Sequence, residues 1–146
     1  MSEIEKIKKN IESRMRFNYV EKNEIKSDVE KAVRIIKKKN EILLAILYGS
    51  YIDDQISHVK DVDIGIYVDK SRVEDTLSYK INLEEEINKE TRVFVDIKIL
   101  NDTPSAFLLE ALRGEIIVDR GIYNILLKIA LDETNALKTL IRLYDN

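Results

Sequence analysis

GSYIDDQISHVKDVD, residues 49–63, lies between two apolar segments that read as strands. The first, Glu41 to Tyr48 (EILLAILY), is a short apolar run that stops at Gly49. The second, Asp61 to Val68 (DVDIGIYV), alternates and places Val62, Ile64, Ile66 and Val68 on one face. A glycine at a strand end permits a sharp turn or a close approach of backbone to a ligand. A serine beside it can open a helix, and the free amides of a helix N-terminus attract phosphate. At the far end of the stretch, Asp61 and Asp63 share a strand face, about 6–7 Å apart along the chain. Two like charges so placed repel and raise each other's pKa unless a cation lies between them. One or two divalent ions meet that need.

Working outward, Arg92 to Leu100 (RVFVDIKIL) alternates with Val93, Val95, Ile97 and Ile99 on one side and Asp96 on the other. If this strand lies beside 61–68, Asp96 completes a triad. Three carboxylates around two metal ions suit in-line phosphoryl or nucleotidyl transfer. Glu115 to Val118 (EIIV) reads as a short fourth strand. Three segments open with the Ser-x-x-Glu pattern of a capped helix: Ser2…Glu5, Ser27…Glu30 and Ser71…Glu74. Ile4, Ile7 and Ile11 follow the first at helical spacing. Val29, Ala32, Val33 and Ile36 follow the second, and Val73, Leu77, Ile81 and Ile87 the third. Thr103-Pro104 reads as a cap and first helical position, with Gly114 as the stop. From Ile122 a long amphipathic helix is expected, with a break near Asp132–Asn135; its Ile/Leu stripe reads as core, but it is long for a domain this small, which leaves part of it to face a partner. His58 is expected in a surface loop, and Tyr48 and Tyr51 in packing.

The fold class is therefore α/β (α+β), a small sheet of about four strands flanked by helices. Its 146 residues suit a single domain, 1–146. Within it, 1–40 holds N-terminal helices, 41–120 the core and 121–146 the C-terminal helix. A formal net charge of -3 gives no global attraction to nucleic acid or to an anionic membrane, so direct nucleic-acid binding is not expected. There is no cysteine and one histidine, which removes thiolate and multi-histidine metal sites. A metal must be held by carboxylates, favouring Mg²⁺ or Mn²⁺. No run approaches about 18 apolar residues, so no signal peptide or membrane span is expected and a cytoplasmic location is.

Gly49-Ser50, ten intervening residues and Asp61-Val62-Asp63, followed by a strand-borne Asp96, resemble the signature of the DNA polymerase beta nucleotidyltransferase superfamily. Leu100 to Asp119 is similar to the helix and short strand that follow in its minimal nucleotidyltransferases, the MNT group. The resemblance covers roughly 41–120. It implies that Gly49 and Ser50 grip the β,γ-phosphates of a nucleoside triphosphate, with ATP a common donor. It also implies that Asp61 and Asp63 ligate Mg²⁺, two ions in all. Asp96 would bind the catalytic ion and help deprotonate the acceptor hydroxyl. Two positions depart from the pattern. Ile52-Asp53-Asp54 stands where many relatives have Ala-Arg-Gly, and Lys60 stands where Ser often precedes the first metal Asp. Lys60 is a candidate to restore part of the lost positive charge at the nucleotide.

No large second domain of the kind relatives use to hold a drug, a tRNA or a primer is expected in these 146 residues, which points to a macromolecular acceptor that docks. MNT proteins of this kind commonly pair with a HEPN-domain ribonuclease. The resemblance thus implies an antitoxin that transfers AMP from ATP to a tyrosine of a HEPN toxin. One alternative is a module that neutralises the HEPN partner by binding, with weak or no catalysis. Another is a small-molecule, aminoglycoside-type nucleotidyltransferase, which would need a dimer or partner to complete its pocket. A homo-oligomer stays open.

Overall fold

The computed structural model describes residues 2–15 and 17–144, so the final two residues of the 121–146 helix span lie outside it. In chain order the elements are α1 (Glu3–Met15), β1 (Val20–Glu21), a 3-10 turn (Lys22–Glu24), α2 (Lys26–Lys37), β2 (Ile42–Tyr48) and a second 3-10 turn (Gly49–Ile52). Then come β3 (His58–Val59), β4 (Asp61–Val68), α3 (Thr76–Asn88), β5 (Phe94–Ile99), α4 (Ser105–Leu112), β6 (Glu115–Asp119) and α5 (Tyr123–Tyr144).

The main sheet has the order β5-β4-β2-β6. β2 runs antiparallel to both β4 and β6, and β4 runs parallel to β5, so the sheet is mixed. One face carries Val62, Ile64, Ile66 and Val68 with Val93, Val95 and Ile97, packed on α2 and α3 through Ala32, Ile36, Leu83 and Ile87. The other carries Leu44, Ile46 and Tyr48 against Leu108, Ala111 and Leu112 of α4 and Leu126 and Ala130 of α5. Each buried Val, Leu or Ile side chain among these contributes about 1.5–3 kcal/mol. Both faces being covered explains why β2 is apolar almost throughout, whereas β4 and β5 alternate around their acids. Gly114 ends α4 where a Cβ would stand 2.3 Å from the Leu47 carbonyl oxygen, so helix and strand can touch.

Several helix starts differ from the sequence expectation. Ser2 does cap α1, its Oγ accepting from the Glu5 amide at 3.1 Å. Ser27 does not cap α2: the helix begins at Lys26, after Ile25, which is anchored in the core. Ser71 does not open α3. The Asp69 carboxylate accepts from both its amide and its hydroxyl, making a turn, and Asp75 caps the helix by accepting from the Ser78 amide at 3.1 Å. Thr103 does not cap α4 either. Its hydroxyl donates to the Ile99 carbonyl, and α4 starts after Pro104.

The stripes of the terminal helices are mostly exposed, with Leu126 of α5 in the core. Ile4, Ile7 and Ile11 of α1 face solvent, as do Ile125, Ile129, Leu137, Leu140 and Ile141 of α5. α5 continues unbroken through Asp132–Asn135. Nothing in that stretch is Gly or Pro, so no residue forbids helical φ. Between β2 and β4 there is no α-helix but the 3-10 turn and β3, which pairs with β1. His58 is exposed, as expected, but on that strand rather than in a loop. Tyr48 packs edge-on to Phe107, with ring centroids 6.0 Å apart. Among the described residues no helix is long and apolar enough to cross a membrane.

Candidate metal and nucleotide site

The sheet register assembles the site. Pairing of β4 with β5 sets Asp63 beside Asp96, and pairing of β2 with β4 sets Tyr48 beside Asp63. Asp61 lies two residues before Asp63 on the same face. One oxygen from each of Asp61, Asp63 and Asp96 can be chosen so that all three lie within 4.8 Å of one another. Asp96 is buried and the other two are half-buried. Gly49 follows Tyr48 directly. Its φ is +81°, and a Cβ there would stand 2.5 Å from Asp63 Oδ2. The backbone therefore closes onto the acidic cluster at the one residue without a side chain. Ser50 is half-buried in the adjoining 3-10 turn. Lys60 is exposed and lines a cleft of ≈ 310 Å³ with Ile11, Arg14, Met15, Asp61 and Phe94. Asp53 and Asp54 are solvated at the end of the turn. The Asp53 carboxylate accepts from the Gln55 amide and its carbonyl from Lys22 Nζ.

Charge is concentrated here. Burial, then repulsion from Asp61 and Asp96, pushes the Asp63 carboxyl up to about 6, with Arg14 and Lys98 offsetting part of the rise. Burial and the same three carboxylates push the Tyr48 phenol up. Three hard oxygen donors whose mutual repulsion is only partly relieved fit Mg²⁺ or Mn²⁺, which take carboxylate and water ligands.

Two cations at the cluster were not legible as site residues. Arg14, on the last turn of α1, donates to Asp61 Oδ2 at 3.2 Å and to Asp96 Oδ2 at 2.9 Å. Its guanidinium also lies 5.1 Å from the Phe94 ring centroid. Burial opposes the Arg14 charge, but Asp96 and Asp61 outweigh it and raise its pKa. Lys80 approaches Asp96 Oδ1 at 3.9 Å and bonds Glu84. Glu84 is buried, which raises its carboxyl pKa, while Lys80 and Asn10 hold the charged form. The Lys80…Glu84 pair has the i,i+4 spacing of helix ion pairs, a signal present in the sequence. Arg14 has none, because its partners lie 47 and 82 residues away.

Residues 30–122 match the family described as "Polymerase beta, Nucleotidyltransferase". The chain belongs to that family. Among curated proteins none matches it. Solved structures share the family fold. A structure of the toxin–antitoxin MntA-HepT matches with TM-score 0.59 at 11% identity, covering 80% of this chain and 92% of that one. A tri-AMPylated Shewanella oneidensis HEPN toxin in complex with MNT antitoxin matches with TM-score 0.59 at 14% identity, covering 80% and 94%. A toxin–antitoxin with AMP-PNP matches with TM-score 0.61 at 13% identity, covering 81% and 93%. At these identities the likeness is one of fold. Residues 1–29, which include Arg14, and residues 123–146 lie outside the family match.

Proposed function

We propose that this chain is a Mg²⁺-dependent protein adenylyltransferase, acting as the antitoxin of a HEPN-type toxin by transferring AMP from ATP to a hydroxyl of that partner. The single observation that carries the reading is the convergence of Asp61, Asp63 and Asp96 beside Gly49. Family membership supplies the reaction class. The toxin–antitoxin neighbours, one with an AMPylated toxin and one with AMP-PNP, supply the acceptor and donor by analogy of fold. We read 1–146 as one catalytic unit around a core of 41–120.

In this reading Asp61, Asp63 and Asp96 hold the ions, which when bound would neutralise the triphosphate and the charge developing in transfer. The Gly49-Ser50 turn receives the β,γ-phosphates, and Lys60 flanks them from the cleft. The acceptor hydroxyl attacks the α-phosphorus, a new P–O bond forms, and the bond to the β-phosphate oxygen breaks. Pyrophosphate leaves, and Asp96 takes up the hydroxyl proton.

The test is incubation of the purified chain and its HEPN partner with labelled ATP and Mg²⁺, followed by intact-mass analysis. The expected result is a partner heavier by one or more AMP units, with transfer abolished by Asp61→Ala or Asp63→Ala. Asp53 and Asp54 motivate the second reading, a module that masks the partner without chemistry, because they add two acids beside the turn. A tight complex that survives both substitutions and shows no transfer would establish masking instead.

A further inference from the structure

We infer that α1 is a latch on the metal site, with the Arg14 guanidinium as a tethered cation that divalent ions must displace. The inference rests on the metal reading of the acidic cluster and adds its regulation. Arg14 bonds one oxygen of Asp61 and one of Asp96, two of the three carboxylates that would hold an ion. A guanidinium and a divalent ion cannot share that space, and bringing +2 beside +1 at contact distance is costly where water is partly excluded. Metal entry and Arg14 docking are therefore mutually exclusive at these oxygens.

The element bearing Arg14 is built to let go. Its apolar residues Ile4, Ile7 and Ile11 face solvent, so no apolar stripe fixes α1 to the core. It is held by polar contacts to α3, Lys6 to Ser78 at 2.7 Å, Asn10 to Glu84 at 2.8 Å and the Lys9–Glu85 ion pair at 3.2 Å, and by the Phe17–Phe94 ring contact just beyond its end. A cleft of ≈ 460 Å³, open to solvent, runs between α1, α3 and β5 beside these contacts. Such contacts hold an element with little free energy and open it readily. Opening breaks no strand pairing and removes no residue of either core cluster; what the sheet loses is Arg14 on Asp61, Asp96 and the Phe94 ring.

A closed latch lowers apparent metal affinity by the fraction of open molecules. Mn²⁺ binding to the full chain is measured by calorimetry and by electron paramagnetic resonance, in parallel with hydrogen exchange of residues 3–15. Arg14→Gln is expected to tighten Mn²⁺ binding by about 10- to 100-fold, the range for a latch closed in roughly 90–99% of molecules. Removing a positive charge alone would also tighten binding, so a neutral variant separates the two causes. Asn10→Ala with Phe17→Ala loosens α1 while keeping Arg14, and is expected to tighten binding as well. Saturating Mn²⁺ is expected to speed exchange in 3–15 in the wild type. Unchanged affinity in the Asn10/Phe17 variant, or unchanged exchange in 3–15 on saturation, overturns the latch. If no variant binds Mn²⁺ at millimolar concentration, the metal reading itself falls.

Discussion

At Gly49 the backbone has φ of +81°, and an added Cβ would meet Asp63 Oδ2 at 2.5 Å. Gly49→Ala therefore carries two costs. The left-handed conformation costs an alanine about 1–2 kcal/mol. The Asp63 carboxylate must also move off residue 49, which disturbs its place beside Asp61 and Asp96. Stability by denaturant unfolding should fall by that amount, and Mn²⁺ affinity should fall at least tenfold. An alanine variant that binds Mn²⁺ normally would refute the role given to this contact. Asp63 allows a prediction of opposite sign. Its folded pKa of about 6 lies above the usual unfolded value near 3.9. The folded state thus holds the extra proton between those values, and stability from this group falls as pH rises through about 6. Asp63→Asn should stabilise the metal-free chain at pH 7.5 by about 1–2 kcal/mol, solvent screening included. The advantage should shrink as pH falls from about 6 towards about 4 and be gone below that. A gain independent of pH would show that the charge of Asp63 is not the cause. On the proposed metal reading, the substitution makes the fold firmer and the site emptier, a conflict expected of acids gathered for a cation.

Strands were more legible than helix ends, for a physical reason. The alternation in DVDIGIYV and RVFVDIKIL is imposed by one face packing on α2 and α3, so it survives in the sequence, and the acids stand out against it. Helix starts are decided by which of several local acceptors wins. Ser27 and Ser71 have the capping spacing, yet Ile25 burial and the Asp69 and Asp75 carboxylates set the actual boundaries. The same competition explains α5. Asp119 accepts from the amides of Gly121, Ile122 and Tyr123, and fixes the turn that leads into the helix. Burial, the largest single influence, raises its carboxyl, but the three amides together outweigh it and leave the pKa lowered. Asp119→Ala should cost about 1 kcal/mol by chemical denaturation at pH 7. A depressed folded pKa contributes stability that is present above the unfolded value and lost as pH falls through the folded one. The deficit of the variant should therefore vanish in strong acid. A deficit that persists there would assign it to packing instead.

Over the whole molecule, the site and the terminal helices differ in how much the fold needs them. The acidic cluster is set by strand register within the central sheet, so it was readable once adjacency of β4 and β5 was assumed. Arg14 reaches the same cluster from outside the family core, and only tertiary structure could reveal it. The end of α5 is the counterpart at the other terminus. Its buried residues are Leu126 and Ala130, both in its first half, and from Leu131 to Tyr144 no residue is buried. The helical stripe there satisfies the spacing rule for a core face without having a core to meet. A chain ended after Asn135 keeps Leu126, Ala130 and the Ser105–Glu133 hydrogen bond. It loses exposed apolar residues, among them Leu137, Leu140 and Ile141. Little surface is removed from water by those residues on folding, and surface changes of that kind shift stability by about 0.5 kcal/mol or less each. The truncated chain should melt within a few degrees of the full one and bind Mn²⁺ with the same affinity. A large drop in melting temperature at low protein concentration would mean that this half of α5 packs against something in the native state of the isolated chain. Concentration dependence of the full chain's melting temperature would then identify a second copy.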